Sequence, residues 1–332
     1  MLLPTFLQIE PVGQCNLRCE MCPVVFRQDG PDNGRPAFLS YETFCRTIDE
    51  FDGLHDLHLQ GLGEPLMHPR FFDMVEYAVS RGVKVSTNTN FTVLSPQRAE
   101  RCVTSGLDCM HISIDAASPT LYEKIRRGSR LQRVQRNLGF LQEAKRRLDS
   151  VLPRQRLVMV LMRQNIHEIA SLVHLAAEWG FESVFVQHLC HDFQEASLPE
   201  TYRSMRDFVD DQTLFDCHPE GVEAHFAAAQ RAAEETGVEL RLPRPQQGGY
   251  AEGTPGRERC AWPWTGMYLS YQGLAMPCCM IATPDRANFG NVAEAGAAAI
   301  WNAPSYETFR EQLGSETPPD ICQSCSVYRG IF

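Results

Sequence analysis

From residue 6 to residue 187 the chain alternates short apolar runs with longer amphipathic stretches, and that alternation admits few folds. The runs 6–9, 57–60, 83–86, 110–114, 157–161 and 184–187 have strand length and composition. The stretches 41–51, 70–81, 96–105, 131–148 and 166–179 carry apolar residues at helical spacing. Gly53, Gly82, Gly106 and Gly180 punctuate their ends. A helix between two strands of one sheet makes those strands parallel. Six strands are too few for a closed eight-stranded barrel, so this α/β pattern predicts a partial (β/α)6 TIM-like barrel or an open doubly wound sheet. In either, chemistry collects on the loops after the C-terminal strand ends.

Beyond the sixth run the pattern changes. Helical spacing returns at 198–209 and 222–236, followed by a short strand at 238–242 and a Gly-rich and Pro-rich linker at 246–256. The last segment carries a hairpin signal, 267–271 and 274–277 around Gln272-Gly273, and one helix near 297–313. These shifts divide the chain into a barrel unit 1–190, a helix-and-strand connection 191–257 and a small α+β module 258–332.

The compartment decides how the thirteen cysteines are read. The start of the chain lacks a basic leader, and Pro4 and Glu10 interrupt it early. No uncharged apolar run approaches membrane-spanning length. The expectation is therefore a cytoplasmic protein without membrane partners, where clustered cysteines bind metal or do chemistry rather than form disulfides. A formal net charge of −10 argues against charge-driven binding to nucleic acid.

Cys15, Cys19 and Cys22 directly follow the first strand, which puts them on a loop at its C-terminal end. Three thiolates on a short loop can wrap one corner of an iron–sulfur cube, whereas zinc sites usually close with four ligands and no fourth lies nearby. Cys260, Cys278, Cys322 and Cys325 form a second set, with Cys279 a competitor for Cys278. Four thiolates suit either a cluster or zinc.

The stretch Ile9-Glu-Pro-Val-Gly-Gln-Cys-Asn-Leu-Arg-Cys-Glu-Met-Cys-Pro23 resembles the opening of the radical S-adenosylmethionine (SAM) superfamily. The resemblance implies a [4Fe–4S] cluster whose open iron chelates SAM and cleaves it reductively to a 5′-deoxyadenosyl radical. It places Gly61, Gly63 and Glu64 at the SAM amino group, and Ser113 and Asp115 around the cofactor's ribose or methionine end; Thr87-Asn88-Thr89-Asn90 ends the third strand towards the active site, with Asn88 a cofactor-binding candidate. Arg126 matches the partner of the SAM carboxylate, and Met21 stands where the family often has an aromatic near the adenine. The second cysteine set is similar to SPASM/twitch modules. With no cysteine between Cys279 and Cys322, it implies the shorter twitch form and one auxiliary [4Fe–4S] cluster held by Cys260, Cys278, Cys322 and Cys325.

A fully ligated auxiliary cluster can accept an electron. The cysteine framework resembles that of 2-deoxy-scyllo-inosamine dehydrogenases of aminoglycoside antibiotic biosynthesis. The reading is therefore an oxidoreductase that takes hydrogen from a carbinol carbon and passes the ketyl electron to the auxiliary cluster. The substrate implied is a hydroxylated small molecule, a sugar or aminocyclitol, with flavodoxin or ferredoxin as electron donor. By position after strands, His188, Arg163, Arg244 and Arg241 are candidate bases, and Cys190 a candidate hydrogen donor. Phe26 and Arg27 are placed to line the substrate pocket. A sugar epimerase, a diol dehydratase and a peptide (RiPP) maturase are the alternatives, the last disfavoured here because the first strand starts at residue 6 and leaves no room for a leader-binding domain.

Overall fold

The computed structural model describes residues 3–27, 37–189, 193–215, 217–245 and 248–330. One nine-stranded sheet runs through it in the order β7-β6-β5-β4-β3-β2-β1-β8-β9. The strands are β1 Phe6–Ile9, β2 Asp56–Leu59, β3 Lys84–Thr89, β4 Cys109–Ser113, β5 Arg154–Leu161, β6 Ser183–His188, β7 Glu239–Arg241, β8 Gly266–Leu269 and β9 Ala275–Met276. Strands β1 to β7 pair in parallel, as crossover helices require. The crossovers include α1 Tyr41–Asp49, α2 Phe71–Ser80, α3 Pro96–Thr104, α4 Pro119–Ile125, α5 Leu131–Arg147 and α6 Ile169–Glu178.

Strand alternation sorts the two faces of the sheet. Leu7, Ile9, Leu57, Leu59, Val85, Met110, Ile112, Leu157, Met159, Val184 and Val186 all join one apolar core with the helices. Each contributes roughly 1.5–3 kcal/mol by leaving water. Positions between them face the concave side and are mostly polar: Gln8, His58, Ser86, Asn88, His111, Ser113 and Gln187. The fold is thus an open partial barrel with an apolar outside and a hydrophilic inside.

Several elements depart from the sequence pattern. The stretch 166–179 starts as a 3-10 turn, Ile166–Glu168, before α6. The expected helix 297–313 is split into Ala297–Trp301 and Pro304–Gly314, since Pro304 cannot continue a helix from the preceding turn. The short strand near 240 becomes a seventh parallel strand beside β6. The largest difference is β8. It forms the expected hairpin with β9 and also pairs in parallel with β1, Phe6 opposite Gly266 and Ile9 opposite Leu269. The cysteine-rich module is thereby built onto the free edge of the barrel.

After β6 the chain turns through residues 193–202 into α7 Arg203–Gln212 and then α8 Pro219–Thr236. Phe193, Tyr202, Met205 and Val209 pack on Leu17, Met21, Ile125, Met162 and Leu189. This segment therefore lies against the first cysteine loop. No helix among the described residues is long and apolar enough to cross a membrane.

Candidate active site

The loops after the parallel strands enclose a cavity of about 220 Å³. Its wall carries Cys15, Cys19, Cys22, Met21, Gly61, Gly63, Glu64, Asn88, Ser113 and Arg126. Residues expected to hold the first cluster and the cofactor therefore meet at one place. Asp115 stands behind that wall, fully buried. Its Oδ2 accepts from Arg126 Nε at 2.6 Å and its Oδ1 from the Val160 amide at 2.8 Å. Asp115 thus positions Arg126 instead of lining the cavity. Burial works against the Arg126 charge, but the carboxylate beside it and the neighbouring Cys19 raise its pKa.

Backbone hydrogen bonds set the cysteine loop. The Arg18 and Glu20 amides donate to the carbonyls of Arg127 and Ile125 at 2.9 and 3.0 Å, and Cys22 N donates to Cys19 O at 3.2 Å. The Leu17 amide and Asn90 Nδ2 point at Cys15 Sγ, at 3.4 and 3.5 Å. Burial pushes the Cys15 and Cys22 thiols up to about 12 and raises Cys19 as well. Without iron these groups are neutral thiols, so cluster loading must expel their protons. Two N–H donors aimed at one sulfur and a guanidinium near another, Arg126 Nη1 at 4.0 Å from Cys19, suit thiolates that carry charge once metal is bound.

Glu64 caps the short 3-10 helix Pro65–Met67. It accepts from Leu66 N at 3.1 Å, Thr89 Oγ1 at 2.6 Å and Asn90 N at 2.8 Å. Burial raises its pKa against the pull of these donors. Gly63 allows no side chain, because a Cβ there would stand 1.9 Å from the Val12 carbonyl oxygen. Its loop is therefore pressed directly onto the cysteine loop. The Asn88 Oδ1 atom is buried and makes no well-formed hydrogen bond among the described residues, with the His58 ring its polar neighbour. A polar atom left unspent beside three thiols fits the polar groups of SAM and an iron–sulfur cluster.

Thr89 and Asn90, from the stretch that ends the third strand, are on the same wall, as are residues that the motifs did not single out: Gln60, Val158, Val160, Gln187 and Leu189. Gln60 and Gln187 sit at inward-facing register positions of the second and sixth strand ends, and that register was the signal available for finding them. Gln60 Oε1 accepts from His58 at 2.8 Å, and the other His58 nitrogen meets Ser86 Oγ at 2.8 Å. Burial lowers His58 to about 4, so it is a neutral ring that fixes Gln60 with its amide nitrogen free to donate.

The candidate bases lie elsewhere. His188 follows Gln187, and strand alternation turns it to the other face. Its Nε2 meets the Arg244 carbonyl at 2.7 Å, its ring packs on Phe215, and burial lowers its pKa. Arg244 itself is exposed and contributes that carbonyl. Arg163 is exposed and donates to the Thr213 carbonyl at 2.7 Å. Arg241 stacks on Phe185, 4.8 Å from the ring centre. Arg27 turns away from the pocket to pair with Glu10. Cys190 lies outside the described residues.

Cys260, Cys278, Cys322 and Cys325 line a second, small cavity of about 30 Å³ with Trp262, Phe309 and other mostly apolar residues and with Arg286, which pairs with Glu195; Cys279 is not on its wall. Burial pushes the Cys278 thiol far up, and the other cysteines add to that. Four thiols on one wall are a ligand set that an iron–sulfur cluster or a zinc ion can use.

The family model for the radical SAM superfamily matches residues 9–176, and that for SPASM, an iron-sulfur cluster-binding domain, matches residues 260–326. A tungsten-containing aldehyde ferredoxin oxidoreductase cofactor-modifying protein of Pyrococcus furiosus is 26% identical, over 97% of this chain and 87% of its own. A PqqA peptide cyclase of Ruegeria pomeroyi is 24% identical, over 97% and 79%. Streptococcus suis SuiB bound to S-adenosylmethionine superposes with a TM-score of 0.68 at 16% identity, over 98% of this chain and 71% of SuiB. Bound to precursor peptide SuiA it gives 0.66 at 17% identity, over 99% and 71%. These structural likenesses establish the fold. BtrN in complex with AdoMet and 2-DOIA superposes at 0.44, too distant to support the dehydrogenase resemblance.

Proposed function

The chain belongs to the radical SAM superfamily, and from that premise we propose that it modifies a peptide at an unactivated carbon. It binds SAM at a [4Fe–4S] cluster on Cys15, Cys19 and Cys22, and a further iron–sulfur cluster through its SPASM domain. When bound, the first cluster and SAM supply the radical that takes a hydrogen atom from carbon. The chain's own residues would hold and orient the cofactor: Arg126, set by Asp115, would pair with the SAM carboxylate, and the loop of Gly61, Gly63 and Glu64 would take the amino group.

The observation that carries the substrate class is the neutrality of what is left of the wall. Among the described residues, the charged side chains on it are Glu64 and Arg126. Both are already paired, Glu64 with three donors and Arg126 with Asp115. The remaining polar groups are the amides of Gln60, Asn88, Asn90 and Gln187 and the hydroxyls of Thr89 and Ser113, with those of Thr89 and Asn90 already hydrogen-bonded within the protein. Such groups recognise neutral donors and acceptors, as on a peptide backbone, and would leave a carboxylate or phosphate unpaired. The PqqA peptide cyclase among the relatives supports a peptide over a sugar. Carbinol oxidation of a hydroxylated small molecule is the second reading. It is favoured by the closed four-cysteine set, which suits an electron acceptor.

Co-expression with each short open reading frame beside the gene, followed by peptide mass spectrometry, tests the proposal. The expected result is a mass change in one peptide. Unchanged peptides, together with loss of two hydrogens from an aminocyclitol offered to the reduced enzyme, would overturn it in favour of the second reading.

A further inference from the structure

Glu10 joins three loops that the strand order brings to one point. Strand β1 lies between β2 and β8, so the loops leaving these three strands run side by side. Glu10 is the first residue after β1 and is fully buried. Its Oε1 accepts from Arg27 Nη1 at 2.7 Å and from the Leu62 amide at 2.9 Å. Its Oε2 accepts from Arg27 Nη2 at 2.9 Å and from the Tyr271 amide at 3.3 Å. The fit is close: a Cβ at Gly61 would meet the Glu10 side chain at 2.2 Å, and one at Gly13 would meet the Tyr271 ring at 2.5 Å. The Arg27 guanidinium also lies over the Tyr271 ring, 4.7 Å from its centre.

Each donor belongs to a different piece of machinery. Arg27 ends the loop of the first cysteines, and Leu62 sits inside the Gly61–Glu64 loop. Tyr271 opens the turn that leads through β9 to Cys278. A buried carboxylate whose oxygens are spent on charge-assisted bonds does not yield one partner without disturbing the others.

We propose that Glu10 is a positioning residue that couples seating of the C-terminal cysteine module to the loop that holds SAM. A displacement of Tyr271 reaches Leu62 through the rigid carboxylate and the bidentate Arg27. Coupling of this kind is a reciprocal free energy between two sites.

The test is a double-mutant cycle on the full, iron-loaded chain, read as the SAM dissociation constant and as the SAM-induced change in the first cluster's EPR signal. Cys278→Ser disturbs the module. It is expected to weaken SAM binding roughly fivefold or more, within the usual range of coupling. Glu10→Gln is expected to weaken SAM binding comparably, and the double variant to be no weaker than Glu10→Gln alone. Glu10→Gln leaves Arg27 without its anion, so Glu10→Gln with Arg27→Met, which removes both charges, is measured alongside for iron content and melting temperature. In that background SAM affinity should no longer respond to Cys278→Ser. Losses that multiply in either combination, or a Cys278→Ser protein that binds SAM as the parent does, would overturn the proposal.

Discussion

The two cysteine sets differ less in their thiols than in what surrounds them. Cys15, Cys19 and Cys22 stand on the wall of a cavity of about 220 Å³, beside Asn90, Arg126 and Glu64. Cys260, Cys278, Cys322 and Cys325 close around about 30 Å³ among Trp262, Pro263, Ile281 and Phe309. Burial raises the thiol pKa values in both places. Yet the first set has space and a wall rich in polar groups next to it, and the second has a mostly apolar shell whose charged member, Arg286, is paired with Glu195. The first arrangement suits a site where molecules react, and the second a group that stores or passes an electron without meeting substrate.

The largest effect that would break this comparison is on SAM cleavage. Cys19→Ala should abolish 5′-deoxyadenosine formation, while Cys322→Ser should leave reductive cleavage of SAM measurable and stop product formation. Equal loss of 5′-deoxyadenosine in both variants would erase the proposed division of labour. Asp115→Asn comes next. It leaves the buried Arg126 without its counter-charge, so a stability loss of about 3–5 kcal/mol is expected, with weakened SAM binding. Thermal melting and SAM titration check it, and an unchanged melting temperature would contradict the pairing.

Gln60→Glu should then separate the two occupants of the reacting cavity. A carboxylate replaces a neutral amide on the wall, so substrate turnover should fall about tenfold, in line with one lost or mispaired hydrogen bond. Uncoupled SAM cleavage should persist. A variant that turns over substrate normally would remove Gln60 from the substrate side.

The smallest expected effect is at His188. His188→Gln should leave 5′-deoxyadenosine formation within about twofold, since the ring faces away from the cavity. Its pH signature has a definite sign. Burial lowers the ring below its usual 6.5, so the folded chain favours neutral His188. That support is present above pH 6.5 and is lost as pH falls through the lowered folded value. The variant should lose less stability on acidification below pH 6.5 than the parent, measured by melting at pH 7 and pH 5.

Much of the fold was legible because it is written locally. Period and glycine punctuation marked six parallel strands and five of the helices between them, and the loop position of the first cysteines followed from the first strand. The sites divided differently. Residues tied to a motif, such as Gly61 and Arg126, could be placed from the sequence, although Asp115 proved to stand one shell back. His188 and Gln187 show why the rest was hard: they are neighbours, and only strand register decides which faces the cavity. Arg163 was placed by proximity to a strand end, and the chain after α7 captured it. The β1–β8 pairing joins residues about 260 positions apart, so no local pattern announces it. Glu10 was invisible as a functional residue for the same reason, since its partners come from three separate loops.

EPR of the reduced, iron-loaded chain, recorded with and without SAM, tests the division between the two regions most directly. About eight irons per chain and two [4Fe–4S] signals are expected. One of them should shift when SAM is added, and the unshifted one should be missing from Cys322→Ser. A single signal, or two signals neither of which responds to SAM, would contradict it.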